Sequence, residues 1–225
     1  FVRFATQMAT GDFGVSYKSR RLIAQDLRVY LPATLELALV STFLALVIGI
    51  PAGVMAAARR GRWPDRLGGL GSILAVAMPT FFFAMLLQLV FSRWLDLLPL
   101  SGRLSREIAI ADPLAMVTGF NLLDSLLAGR PAAFRDAALH LILPALTLAA
   151  YPAGVAMRLT RSAMIEILER RHIIAARALG LSEPRILFGH ALPNAVGPAL
   201  TVIGLSFAYA LTGAVLVEII FAWPG

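Results

Sequence analysis

Cysteine is absent, so this chain can build neither a disulfide framework nor a thiolate metal site. Histidine is scarce: His140, His172 and His190 are too scattered to suggest a metal cluster. Lysine is nearly missing. Lys18 stands alone, with Tyr17 before it and Ser19 after it. A phosphate-gripping loop needs Gly-x-x-x-x-Gly-Lys-Ser/Thr, so no standard nucleotide-binding loop is present. Charge is thin as well, at 15% of residues against about 25% in an ordinary soluble domain. These absences leave no expected catalytic centre, metal site or cofactor.

What the chain has in excess is apolar surface. Of 225 residues, 59% are hydrophobic, and they are gathered in blocks. About 20 apolar residues cross a bilayer. Four stretches are long enough: 37–58, 67–92, 137–157 and 191–217. Backbone groups in lipid must bond within their own segment, so each should be a helix. The fold class expected is therefore all-α, a polytopic membrane helix bundle. Pro51, Pro79, Pro144 and Pro152 fall in or near these stretches. In a bundle they predict kinks rather than ends, because neighbours can satisfy the freed carbonyls. Gly49 and Gly53 form a GxxxG pair, and Gly204 and Gly213 lie along the fourth stretch. Small residues at such spacing predict close helix–helix contact.

The net charge of +7 comes from nineteen arginines and Lys18 against thirteen acids. Many arginines flank apolar blocks, which fits lipid headgroups and topology better than nucleic acid. Arg59, Arg60, Arg62 and Arg66 crowd one short turn. Arg158, Arg161, Arg170, Arg171, Arg177 and Arg185 fill the segment between the third and fourth stretches. Two spans separate these segments, so both lie on one side. The positive-inside rule places 59–66 and 158–190 in the cytoplasm. Residues before 32 and the loop 93–136 then face outward. Within that loop Ile108–Leu123 is partly apolar but too short to span. Glu36 sits one turn inside the first stretch, where a carboxylate must be near headgroups or paired.

The stretch from Arg158 to Asn194 is not a simple polar linker. Residues 162–169 and 173–179 have helical composition. Gly180 follows at a natural helix C-terminus, and Ser182-Glu183-Pro184 reads as a helix start. The spacing predicts a helix, a tight glycine turn and a second helix, joined at both ends to spans.

Ala175-Ala176-x-x-x-Gly180, nine residues, then His190-x-Leu192-Pro193 resembles the EAA loop of ATP-binding-cassette importer permeases. Ile174 stands where that pattern has glutamate, and His190 where it has isoleucine. Both differences fit the peptide/nickel branch, whose loop is similar to Ala176-Arg177-Ala178-Leu179-Gly180-Leu181-Ser182 and His190-Ala191-Leu192-Pro193-Asn194-Ala195. Leu31–Leu37, Gly49–Gly53, Met157–Arg161 and Val217–Gly225 resemble the same branch. The chain is thus similar to inner-membrane permease subunits of dipeptide and oligopeptide importers, in the binding-protein-dependent transport permease family. Phe1 and Gly225 then look like cut ends, with one span missing on each side and six in an intact subunit.

The resemblance implies a mechanism. Ala175, Ala176, Gly180, Leu181, His190, Leu192 and Pro193 would form the loop that docks on partner ATPases. Two such ATPases, a second homologous permease and an extracytoplasmic substrate-binding protein are the implied partners, in the cytoplasmic membrane of a bacterium. ATP-driven closure would rock the two permeases between inward-open and outward-open forms, so this chain itself would be no enzyme. Peptides are the implied substrates, with nickel or glutathione as the alternative in the same branch.

Polar groups within spans mark a candidate substrate pathway: Thr80, Gln88, Ser206 and Tyr209. Two other readings compete. Gly204-Leu205-Ser206-Phe207-Ala208 faintly resembles a protease nucleophile motif, but a serine needs a base within hydrogen-bond reach. A passive channel usually shows a filter or a ring of charge, and the spans here are almost free of charge.

Overall fold

The computed structural model describes residues 13–17, 20–111 and 113–225, and only the backbone of 111, 209 and 211–213. Lys18 and Asp112 lie outside the described residues. Those residues form a helical bundle with no strand among them, only an isolated bridge between Val15 and Leu22.

Two long helices make the frame. α1 spans Ile23–Ala58 and α6 spans Pro131–Leu168, with 36 and 38 residues. At 1.5 Å per residue each is more than 50 Å long, well beyond a hydrocarbon core of about 30 Å. Both therefore project past the apolar stretches read from sequence. Hydropathy locates the part that can sit in lipid, whereas the helix continues as long as its backbone bonds do. α6 runs on to Leu168, so the first part of the 158–190 segment is the end of a long helix rather than a loop. Pro32 and Pro51 lie within α1, and Pro144 and Pro152 within α6, without ending either.

The two frame helices meet through small residues. A Cβ on Gly49 would lie 2.7 Å from the carbonyl oxygen of Ala153, and one on Gly53 would lie 2.7 Å from that of Met157. Only glycine allows this backbone approach. Gly204 is different: a Cβ there would meet nothing within 4 Å among the described residues, so it makes no close helix contact with them.

The second apolar stretch is not one helix. α2 (Trp63–Ala77) and α3 (Thr80–Leu87), which continues as a wider π-helical segment to Trp94, are bent by 114°. The cause is local. Proline disfavours the α conformation in the residue before it, and Met78 takes the extended alternative, with φ −74°, ψ 131°. Sequence predicts a kink at Pro79; the structure has a full break. Two helices are long and apolar enough to cross a membrane, or up to four if each bent pair counts as one span.

Two short helices, α4 (Arg106–Ala111) and α5 (Asn121–Leu127), lie between α3 and α6 in the chain. After α6 come α7 (Arg171–Ala178), the turn α8 (Glu183–Arg185), a π segment (Ile186–Ala191) and α9 (Leu192–Ala195). α10 (Gly197–Gly213) and α11 (Val215–Ile220) close the fold.

At one end of the bundle a buried polar knot joins distant segments. Arg103 donates to Glu36 at 2.7 Å and to the carbonyl of Gly119 at 2.8 Å. Glu36 also accepts the amide of Leu122 at 2.8 Å. The Arg103 guanidinium lies 5.4 Å from the Trp223 ring centre, and the Trp223 indole donates to Ala33. Thr34 donates to Glu218 at 2.6 Å. At the opposite end Arg161 grips Asp65, and Arg60 reaches Glu169 at 3.1 Å. The arginine-rich 59–66 turn and the end of α6 are therefore neighbours.

Candidate functional site

The segment after α6 folds as a helix pair around Gly180. Gly180 has φ +80°, a left-handed conformation that costs a non-glycine residue. Its amide donates to Arg177 and that of Leu181 donates to Ala176, the paired bonds of a Schellman cap. Ser182 precedes the next turn with extended backbone, and its carbonyl accepts the amide of Ile186; its side chain makes no capping bond. Arg177 and Glu183 clamp the turn from both sides, with two bonds of 2.8 and 3.3 Å. The bond to Glu183 raises the Arg177 pKa, so the guanidinium stays charged.

Two isoleucines moor this pair to the bundle. Ile173 and Ile186 are fully buried, beside Val54 and Ala57 of α1, Met164 and Ile167 of α6, and Ala191 and Ala195. The opposite side is open: Ile174, Leu179 and Phe188 are 56%, 82% and 55% exposed. Large apolar side chains so exposed mark a contact surface.

The loop residues read from sequence fall into two groups. Ala176, Leu181 and Leu192 are half-buried, the first two at the cap and Leu192 against the same apolar cluster. Ala175, Gly180, His190 and Pro193 are exposed. The His190 carbonyl accepts from the Asn194 side chain at 2.8 Å, so its backbone belongs to the helix start. Ile173 and Ile186 were not singled out from sequence, because an apolar residue in an apolar run carries no mark of its own.

A second feature lies within the bundle. Ser41, Thr42, Thr80, Tyr151 and Ser206 open onto a cleft of about 510 Å³, closed elsewhere by Leu148, Pro152, Ile203 and Ala210. The cleft draws on α1, α3, α6 and α10. Ser41 and Thr42 both donate to the carbonyl of Ala38. No charged side chain lines it. Two of the four residues expected on a pathway, Thr80 and Ser206, therefore come together here. Gln88 does not: its amide donates to the carbonyls of Leu100 and Ile220 and joins chain segments. Tyr209 lies on α10 with its side chain outside the described residues. The cleft also gives Ser206 no histidine neighbour, which removes the protease geometry. Ser41, Thr42 and Tyr151 escaped the sequence reading, although the adjacent Ser41 and Thr42 interrupt an otherwise apolar run.

An all-helical bundle with span-length apolar helices, a hydroxyl-lined cleft between them and an exposed helix pair at one end defines a multi-pass membrane protein. Residues 49–225 match the model of the binding-protein-dependent transport system inner membrane component family, and the chain belongs to that family. It is 44% identical over 225 residues to the probable D,D-dipeptide transport system permease protein DdpB of Escherichia coli strain K12, covering all of this chain and 65% of that one. It is 41% identical over 225 residues to the di/tripeptide transport system permease protein DppB of Pseudomonas aeruginosa, covering 100% and 66%. It is 38% identical over 219 residues to the peptide transport system permease protein SapB of Salmonella typhimurium, covering 95% and 66%. The chain spans just under two thirds of the length of these relatives.

Proposed function

We propose that this chain is the membrane-spanning part of a permease subunit in an ATP-driven peptide importer of the bacterial inner membrane. Two ATPase subunits, a second permease and an external binding protein complete the transporter in this reading. The observation that carries it is the Gly180 helix pair, moored by Ile173 and Ile186 and open at Ile174, Leu179 and Phe188. The names of the peptide-transport relatives support the substrate class. In this reading the 59–66 turn and the helix pair face the cytoplasm. The polar knot of Glu36, Arg103 and Trp223 faces outward.

The geometry supports a mechanism for this reading. An ATPase seats the exposed face of the helix pair. ATP binding draws the two ATPases together and moves both pairs. Each pair is rigid, because the cap and the Arg177–Glu183 clamp fix its turn. The displacement therefore enters α1 and α6 near Val54, Ala57, Met164 and Ile167, and tilts them. Tilting opens the cleft to one side and closes it to the other. A neutral lining of hydroxyls gives a peptide weak, exchangeable hydrogen bonds, which suits passage better than retention.

The test is mild-detergent purification of the intact subunit from its native membrane, with mass spectrometry of what accompanies it. ATPases and a second permease co-purifying are expected. A folded subunit that repeatedly emerges alone would overturn the coupling reading.

A further inference from the structure

We infer that the cleft between α2 and α6, beside the Gly180 helix pair's end of the bundle, binds the phosphate headgroup of an anionic membrane lipid. The cleft is about 570 Å³ and takes its lining from Asp65, Arg66, Leu70, Ile73, Arg158 and Arg161, together with small residues of α2.

Its charge is the first ground. Three guanidiniums face one carboxylate, and that carboxylate is already occupied. Arg161 Nε donates to Asp65 Oδ1 at 2.5 Å and its Nη2 to Oδ2 at 2.8 Å. Oδ2 also accepts the amide of Gly61 at 2.9 Å. The side chains of Arg66 and Arg158 make no hydrogen bond or ion pair among the described residues, so two positive charges remain without an internal counter-ion. Guanidinium forks match phosphate oxygens in pairs, and they are less hydrated than ammonium groups.

Its floor is the second ground. Leu70 and Ile73 are 60% and 53% exposed, and Leu67 and Leu74 continue the same open stripe along α2. Trp63, at the head of that helix, is 68% exposed. An indole beside arginines, above a stripe of exposed leucine and isoleucine, is the pattern of a membrane–water boundary. A site for soluble phosphate gains nothing from such a floor. A phospholipid uses both parts: the phosphodiester between Arg66 and Arg158, the acyl chains along Leu70, Ile73 and Leu74. Basic pockets between spans on the side of an anionic leaflet hold headgroups in this way.

The test uses the full chain, purified in mild detergent, stripped of lipid and followed by native mass spectrometry. It is titrated with phosphatidylglycerol, with phosphatidylcholine and with inorganic phosphate. One phosphatidylglycerol should survive conditions that remove all others, and phosphatidylcholine should bind about tenfold more weakly. Millimolar inorganic phosphate should not displace the lipid. The double variant R66Q/R158Q should lose that adduct. R59Q/R62Q, which removes two arginines of the same turn outside the cleft, should keep it. Circular dichroism of both variants controls for folding. Four results would each overturn the proposal: equal retention of phosphatidylcholine, an adduct unaffected by R66Q/R158Q, displacement by inorganic phosphate, or a photo-crosslink from position 70 to a second permease in the assembled transporter.

Discussion

Glu36 and Arg103, 67 residues apart in the chain, meet in a buried ion pair 2.7 Å long, and the arginine rests against Trp223. The first frame helix, the loop 93–136 and the Trp-Pro-Gly segment at residues 223–225 are thereby tied at one point. Losing one partner leaves a buried charge, at a cost of about 3–5 kcal/mol, while replacing both is far milder. R103M should therefore lower the melting temperature in detergent more than E36M/R103M does. Single losses from E36M and R103M that simply add up to the loss of the double variant would mean that the pair has no coupling energy.

Gly180 should not tolerate a β-branched residue. Its φ of +80° costs such a side chain roughly 1–3 kcal/mol, enough to rebuild the turn. G180V should reach the membrane at normal levels, keep ATP hydrolysis in the assembled transporter, and lose most peptide uptake. Uptake in proteoliposomes, measured beside ATPase activity, reads this out. Normal uptake would remove Gly180 from the coupling mechanism.

Gly53 should fail for a different reason. A Cβ there would lie 2.7 Å from both the Met157 carbonyl oxygen and the Thr160 Cβ. α1 and α6 must separate to admit it. Overpacking costs about 1–3 kcal/mol, so G53A should melt several degrees lower, while G204A, where nothing lies within 4 Å, should leave the melting point unchanged.

Asp124 gives the loop 93–136 a pH dependence. Burial pushes its pKa up, but hydrogen bonds from the Thr118 hydroxyl and from the amides of Thr118, Gly119 and Val117 more than reverse this. The net direction is downward from 3.8. A depressed carboxyl adds stability above its unfolded pKa and loses it as pH falls through the folded value. The contribution should thus be complete at neutral pH and fade below about pH 4. Unfolding scanned from pH 5 to pH 3 should show this fall in the parent and a flatter curve in D124N.

The hydroxyl-lined cleft should respond to bulk more than to chemistry. S206L or T80L should reduce uptake about tenfold or more without loss of assembly, while S206A and T80V should change it only a few-fold, as a weak hydrogen bond implies. Transport by S206L at the parental rate would place the pathway elsewhere.

The helical class, the apolar stretches and the glycine-turned loop were legible in the sequence because each is local. Composition in a window decides whether a segment can sit in lipid. A glycine after an alanine-rich run decides a cap, whereas Pro79 was legible only as a kink and the full break there was not. What the sequence left open was decided by contact between distant residues. No pattern near Glu36 names Arg103 as its partner, and none near Asp65 names Arg161. Thr80 and Ser206 belong to one cleft, and Gln88 does not, because helix packing turned the first two inward to a common space. Ile173 and Ile186 became anchors only once the ends of α1 and α6 converged on them. Local rules set which segments are helices; the burial of polar and apolar groups against partners far along the chain set which side chains share a site.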